Sequence, residues 1–210
     1  MKKSILILTL LFIAIIGHTQ TEEDDVDTRE LLITTNSFSN GYYGLQYKTK
    51  ISDKTFMRLG IANLYHRTDS RRVDVTTNFY HTITDSKSGF SIMAGLEKRK
   101  ALSELFQFTY GINLIISGAL STYTDESFNS TGSTDKDVTK GKAISPAIGV
   151  NFGAIMKIYK DFYLGAEIIP QLSYTHQVDT DSADRKQITN GFGVSISSQG
   201  ATVALIYRFE

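Results

Sequence analysis

The sequence contains no cysteine and no tryptophan, and only two of its 210 residues are proline. The absence of cysteine excludes a disulfide framework, a thiolate metal site, a cysteine nucleophile and a lipid anchor on an N-terminal cysteine. The chain also lacks net charge, since 22 basic residues balance 22 acidic ones. This balance favours neither a nucleic-acid partner nor an anionic membrane surface.

Long apolar runs are absent except at the N-terminus. There, Lys2 and Lys3 precede a 12-residue apolar stretch, 5–16, that only Thr9 interrupts, and small polar residues follow. This order is typical of a cleaved export signal, and the stretch is short for a membrane-spanning helix, which needs about 20 residues. We predict a signal peptide at 1–20, a short acidic segment at 21–29 and one domain at 30–210.

Aromatic residues are abundant, with 12 phenylalanines and 11 tyrosines, and this composition suits strands. Within 162–174, apolar side chains occupy every second position and small or polar ones lie between them. Side chains on a strand point alternately to opposite faces, so each such segment has one apolar face. The same alternation recurs at 43–51, 57–65, 90–97, 106–117, 144–158 and 201–209.

Three details favour a membrane barrel over a soluble one with an apolar pocket. The polar faces are rich in glycine and small residues, as a narrow barrel interior requires. The alternating runs reach about ten residues, which a tilted strand needs to cross a bilayer. Short and long connections also alternate. Short turns are predicted at 52–54, 98–104 and 159–161, and long polar loops at 66–88, 122–142 and 177–190.

The predicted fold is an all-β, antiparallel up-and-down transmembrane β-barrel. Eight strands are expected, with both chain ends on the periplasmic side. Two segments leave ten strands open: 73–84 has strand character inside a predicted loop, and 197–200 could be a turn within the last strand. The eight predicted strands are 30–38, 41–51, 55–66, 88–98, 104–122, 142–158, 161–177 and 190–209.

The final strand carries a family resemblance. Its apolar residues alternate through Tyr207 to Phe209, with Glu210 one residue beyond, and it resembles the C-terminal strand that the outer-membrane assembly machinery reads. With the signal peptide, the turn at 159–161 and the segment 95–100 followed by a strand that enters 110–112, the chain resembles small outer-membrane β-barrel proteins of the OmpA/OmpX-like type found in Bacteroidota. The resemblance implies fold, outer-membrane location and an assembly signal at Tyr207 and Phe209. It implies no catalytic residues.

Charged residues on the polar faces are expected inside the barrel, because a charge that faces lipid near the midplane would cost about 2–4 kcal/mol. Unpaired buried charges are costly, so we predict a network in which Glu97 and Glu167 accept hydrogen bonds from Arg58 and Arg208. We interpret it as a packed polar plug; an ion or proton path is the alternative. The six inward charges are Lys48, Arg58, Glu97, Lys157, Glu167 and Arg208.

No motif for catalysis, cofactor or metal binding is found. There is no Gly-x-Ser-x-Gly turn and no phosphate-binding glycine loop. His66, His81 and His176 are expected at the rim without ligand spacing. The acidic run 179–184 lacks the central glycine of a calcium loop. We therefore predict no catalytic, cofactor or metal site.

The predicted function is that of a non-enzymatic, Gram-negative outer-membrane barrel. Its extracellular loops would serve surface interaction or envelope integrity. The expected partners are outer-membrane lipid, lipopolysaccharide and the assembly machinery, and the loops' own partner is unknown. A small porin-like pore or ligand conduit and a rim-located enzyme are the alternatives.

Overall fold

The structure is a computed structural model, and it describes residues 28–37, 42–76, 79–129, 134–195 and 201–209. The predicted signal peptide and residues 197–200 lie outside this part of the chain. Within it, no helix is long and apolar enough to cross a membrane. The strands are β1 (Arg29–Ser37), β2 (Tyr42–Ser52), β3 (Thr55–Thr76), β4 (Phe79–Ala101), β5 (Phe106–Asn129), β6 (Thr134–Tyr159), β7 (Phe162–Ile168), β8 (Gln171–Thr180), β9 (Lys186–Ser195) and β10 (Ala201–Phe209).

The strands close into an antiparallel ring of eight. Strands β1 to β6 pair in sequence order, and β6 pairs with both β7 and β8. Strand β9 pairs with β8, whereas β10 pairs with β7 on one side and with β1 on the other, which closes the ring. The seventh ring position is therefore β7 with β8, and the eighth is β9 with β10.

The predicted count of eight strands is confirmed. Ten segments are described because the seventh position breaks within the described chain, whereas residues 196–200, between β9 and β10, lie outside the described residues. The seventh breaks at Ile169 and Pro170, where proline has no backbone N–H to donate to a ladder. The Pro170 carbonyl still accepts a hydrogen bond from the Val150 amide at 3.0 Å.

One end of the barrel carries short connections and both ends of the described chain; we call it the short-turn end. Two-residue turns join β2 to β3 at 53–54 and β6 to β7 at 160–161. Lys160 has a φ of 43°, the left-handed conformation that such tight turns use. Residues 102–105 connect β4 to β5. The first two lie where short turns were predicted. The third was predicted at 98–104 and begins later, because β4 continues to Ala101.

The opposite end differs from expectation. The predicted long loops at 66–88, 122–142 and 177–190 are largely strand, and 73–84 belongs to one hairpin instead of an extra pair of wall strands. These arms are mainly polar on both faces, so they show no regular apolar alternation, although exposed apolar residues such as Leu120 and Ile188 remain on the outward face. Hydroxyl pairs such as Thr68 with Ser86, 3.0 Å apart, continue the ladder. We call these arms the raised sheet: 65–76, 79–89, 118–129, 134–144, 176–180 and 186–190.

The outward face forms an apolar belt. On β5, Phe106, Phe108, Tyr110, Ile112, Leu114 and Ile116 are all exposed, as the alternation predicted. Aromatic rings flank the belt: Tyr207 lies 5.2 Å from Phe162 near the short-turn end, and Tyr174 lies 5.0 Å from Phe192 toward the raised sheet. The interior holds a small apolar cluster on one wall, made of Leu32, Ile155, Tyr163, Ala204 and Ile206.

Candidate functional site

Charged side chains from six strands meet inside the barrel near its short-turn end. They come from β1, β2, β3, β4, β7 and β10, so they line most of the ring. Four cations face three carboxylates, which leaves a formal charge of +1 (4 − 3). We call this group the lumen charge cluster; it consists of Glu30, Lys48, Arg58, Glu97, Arg99, Glu167 and Arg208.

Glu97 is the centre of the cluster and is fully buried. Its Oε2 atom lies 2.6 Å from Lys48 Nζ and 3.3 Å from Arg58 Nη1. Its Oε1 atom accepts a hydrogen bond from Arg99 Nε at 2.9 Å. Three cations thus surround one carboxylate, an arrangement in which each buried charge has a partner.

Arg58 connects Glu97 to the far wall. Its Nη2 atom lies 2.8 Å from Glu167 Oε1 and donates a hydrogen bond to Gln46 Oε1 at 3.0 Å. Its Nε atom is buried without a hydrogen-bond partner. The side chain is fully buried, so its position depends on these contacts and on the packing around it.

Glu30 anchors the part of the cluster nearest the short turns. Arg99 binds it through two hydrogen bonds of 2.7 and 2.6 Å, the bidentate geometry that makes such pairs strong. Arg208 donates from Nε to Glu30 at 2.9 Å and from Nη1 to the Tyr163 hydroxyl at 2.9 Å. The Arg99 guanidinium also stacks 3.6 Å over the Phe56 ring.

The cluster brings together five of the six charges chosen from the sequence. Arg58 reaches both Glu97 and Glu167, the two acceptors proposed for it. The partner predicted for Arg208 is wrong, because Arg208 pairs with Glu30, the residue directly opposite it in the β1–β10 ladder. The sixth, Lys157, is exposed. It lies two residues from the end of β6, where the barrel interior opens to solvent.

Sequence reasoning missed Glu30 and Arg99. Arg99 was assigned to a turn, but β4 continues to Ala101, so Arg99 faces inward two residues after Glu97. Glu30 was placed at the very start of the first strand and given no role. The usable signal was the period-two alternation of side chains. Arg99 lies in phase with the inward Glu97, and Glu30 lies in phase with the inward Leu32. Glu30 also faces Lys48 across the β1–β2 ladder.

The cluster separates two cavities of the lumen. The upper one, toward the raised sheet, has a volume of about 230 Å³ and an uncharged lining that includes Thr34, Gln46 and Met93. The lower one, at the short-turn end, measures about 640 Å³ and is lined in part by Arg99 and Arg208. Gln46 bonds to Arg58 from above while Arg99 and Arg208 lie below, so the cluster is the floor of one cavity and the roof of the other.

In the described part of the chain, the histidines do not gather at a metal site. His81 Nδ1 lies 2.9 Å from Asp125 Oδ1, and His176 Nδ1 lies 2.7 Å from Asn190 Oδ1. Ser127 faces His81 across the β4–β5 ladder, but its hydroxyl donates to the Asp135 carbonyl at 3.3 Å. Among the described residues, no group of three or more histidine or carboxylate side chains could bind a metal ion.

Comparison with known proteins bears on the fold alone. No family model matches the chain, and no curated protein matches it. A solved structure, a major outer membrane protein from Thermus thermophilus, is 9% identical with a TM-score of 0.50, covering 88% of this chain and 100% of that one. It shows the outer-membrane β-barrel fold predicted from the alternation. The Bacteroidota origin suggested by the resemblance stays a prediction.

Two further solved barrels are similar at lower scores. CarO from Acinetobacter baumannii is 13% identical with a TM-score of 0.37, covering 90% of this chain and 100% of that one. Ail, the attachment invasion locus protein of Yersinia pestis, is 11% identical with a TM-score of 0.27, covering 87% of this chain and 95% of that one. The fold assignment rests on the Thermus protein.

Proposed function

We propose that this chain is an outer-membrane protein whose barrel is closed to ions and whose raised sheet is its contact surface outside the cell. The apolar belt supports the location. It covers the outward faces of the ring, with aromatic side chains near both edges, as in barrels that span a hydrocarbon layer of roughly 25 Å. The short-turn end then faces the periplasm and the raised sheet faces outward.

The lumen charge cluster is the observation that carries the closed-barrel proposal. An eight-stranded ring is just wide enough for side chains to fill its interior. Here the filling includes seven mutually paired charged groups. An ion that crossed this layer would have to displace a buried ion pair, and leaving a buried charge unpaired costs several kcal/mol. The packed polar plug is therefore favoured over a pore.

The raised sheet supports a surface role and offers little for catalysis. It presents ladders of hydroxyl and charged side chains on both faces, which suits contact with a hydrated partner. Within the described residues, the pair of His81 with Asp125 has a serine, Ser127, facing the histidine, but the serine hydroxyl donates to the Asp135 carbonyl instead. We therefore propose a non-enzymatic protein that takes part in surface interaction or envelope integrity.

A second candidate function is binding of a small ligand in the upper cavity. Its roughly 230 Å³ volume and uncharged lining would suit a small neutral molecule that enters from the raised-sheet side. The lumen charge cluster forms the floor of the upper cavity, so this function predicts a pocket that is closed at its lower end and does not conduct. Ligand binding in the upper cavity can be tested by adding small polyols and measuring the midpoint of thermal unfolding. An unchanged midpoint would count against this function.

Location and orientation can be tested with single cysteines, since the chain has none of its own. Ser70→Cys lies on the raised sheet, and Lys54→Cys lies in a short turn. A maleimide too bulky for porins should label the first on intact cells and the second only after the envelope is broken. Recovery of the protein in the soluble periplasmic fraction, without a band shift between boiled and unboiled gels, would overturn the proposal.

A further inference from the structure

Charge is segregated between the two faces of the raised sheet on β6. Along 134–144 the lysines occupy even positions, at 136, 140 and 142, and the aspartates occupy odd ones, at 135 and 137. The β5–β6 register runs without a shift from the belt into the raised sheet, so the even positions share the outward face of Ile144 and Ile148. The lysines therefore point away from the barrel axis, and the aspartates point toward it.

A third strand adds a lysine to this outward face. Lys140 lies opposite Thr180, and Thr180 lies opposite Lys186, so all three share one face. Two strand spacings separate Lys140 from Lys186, about 10 Å, and two residues separate Lys140 from Lys142, about 7 Å. We call Lys140, Lys142 and Lys186 the lysine triad.

The triad has no charge partner within the described part of the chain. All three side chains are exposed, and none is within ion-pair distance of a carboxylate. The outward strand positions of β6, β8 and β9 in the raised sheet hold no acidic residue. Glu126 on β5 lies opposite Lys136. In the adjacent β8–β9 loop, Asp181 pairs with Arg185, and Asp184 lies two residues before Lys186. The triad thus contributes a charge of about +3 to this face and forms no ion pair with any described residue.

The position of the triad along the barrel axis indicates which part of the membrane it contacts. Lys142 comes two residues before Ile144, which is 52% exposed in the belt, and its own row contains Leu120 and Ile188, 56% and 60% exposed. This row therefore mixes lipid-facing apolar side chains with a cation. That combination places the triad at the boundary between acyl chains and head groups, where long lysine side chains extend toward the polar layer.

We infer that the lysine triad binds the phosphate groups of a glycolipid in the outer leaflet. The inference rests on the proposed orientation in the outer membrane, and it identifies lipopolysaccharide phosphates as the ligand. Phosphate is the anionic group expected at this depth, and each lysine near an anionic surface contributes about tenfold or less in affinity. Three convergent cations would fix the barrel's height and rotation relative to the lipid that surrounds it.

The test uses the mature barrel in phosphatidylcholine nanodiscs, titrated with fluorescent lipid A. Replacing the triad by glutamine (Lys140→Gln, Lys142→Gln and Lys186→Gln together) should weaken binding on the order of 100-fold, about 3 kcal/mol. Lipid A without its phosphates should bind the unaltered barrel as weakly as intact lipid A binds the triad variant. Raising the salt concentration should reduce the difference in lipid A affinity between the unaltered barrel and the triad variant, because salt screens exposed charges.

A matched control removes three exposed lysines at the short-turn end, Lys54, Lys98 and Lys100, with the same change in net charge. It should leave binding unchanged. Equal lipid A binding by the triad variant and the unaltered barrel, or equal binding of phosphate-free lipid A, would overturn the inference. The unboiled gel shift verifies that each variant folds. If the triple variant fails to fold, Lys142→Gln alone replaces it, and its affinity for lipid A should fall roughly fivefold. Recovery in the soluble fraction would instead overturn the proposed location.

Discussion

Arg58 on β3 and Glu167 on β7 are joined by an ion pair of 2.8 Å although 109 residues separate them. In a ring of eight, the third and seventh positions are diametrically opposite. This pair therefore crosses the full width of the lumen, and it ties together two walls that share no ladder. A barrel is held mainly by hydrogen bonds between neighbouring strands, so a contact across its diameter resists flattening in a way that the ladders do not.

Removing Arg58 should destabilise the barrel strongly. Arg58→Leu leaves Glu167 without its arginine partner and removes one cation from Glu97, and loss of one partner of a buried pair costs about 3–5 kcal/mol. Urea unfolding in detergent micelles, followed by the unboiled gel shift, measures the change. The double variant Arg58→Leu with Glu167→Leu should lose less than the sum of the two single variants.

The control for this prediction is Lys87→Leu, which breaks an exposed pair with Asp85 in the raised sheet. An exposed ion pair contributes about 1 kcal/mol or less, so its effect should be small. If Arg58→Leu were no more destabilising than Lys87→Leu, the cluster would have no structural role.

Tyr207 and Phe209 are predicted to act in assembly. Both lie on β10 near the short-turn end, with ring centroids 5.9 Å apart. Phe209→Ala should lower the amount of barrel that reaches the outer membrane while leaving refolding of the purified protein unchanged. Phe108→Ala is the control, because it removes an aromatic ring from the same edge of the belt on β5. An equal loss of yield in both variants would indicate lipid anchoring instead of an assembly signal.

The β8–β9 loop should respond to acid. Backbone and side-chain hydrogen bonds from Arg185, with its charge, lower the pKa of Asp181 below its usual value of 3.8. A carboxyl with a lowered pKa stabilises the folded loop above its ordinary pKa, and that stabilisation is lost as the pH falls through the lowered value.

The amide signals of Ala183 and Arg185, which both donate to Asp181 Oδ1, should report this titration by NMR. Their chemical shifts should stay constant from neutral pH to about pH 4 and change only below about pH 4. Asp181→Asn should abolish the shift. A transition between pH 5 and 7 would contradict the assignment.

The ring itself could be predicted from the sequence because its two faces meet different surroundings. Lipid outside and a narrow polar lumen inside impose period two on every wall strand, as at Phe106 to Ser117. The raised sheet is mainly polar on both faces, so residues such as Thr68, Ser70 and Thr84 show no such contrast. Their β-structure comes from pairing across each hairpin, which the alternation of apolar residues cannot reveal.

The cluster was predictable in part for the same reason. Lys48, Glu97 and Glu167 are charges inside long apolar alternations, where only the lumen can receive them. Glu30 and Arg99 lie near strand ends, where a one- or two-residue change in the boundary decides whether a side chain faces inward. The choice of partner for Arg208 depends on strand register, which the sequence does not specify.

Single-channel recording across a planar bilayer is the most direct test of the closed lumen. The unaltered barrel should give no current steps, because the lumen charge cluster fills the cross-section. A variant with Arg58, Glu97 and Glu167 all replaced by serine keeps the ring but removes the middle of the cluster, and it should conduct. Silence from the first and current from the second would support the account, whereas sustained steps from the unaltered barrel, equal to those of the variant, would contradict it.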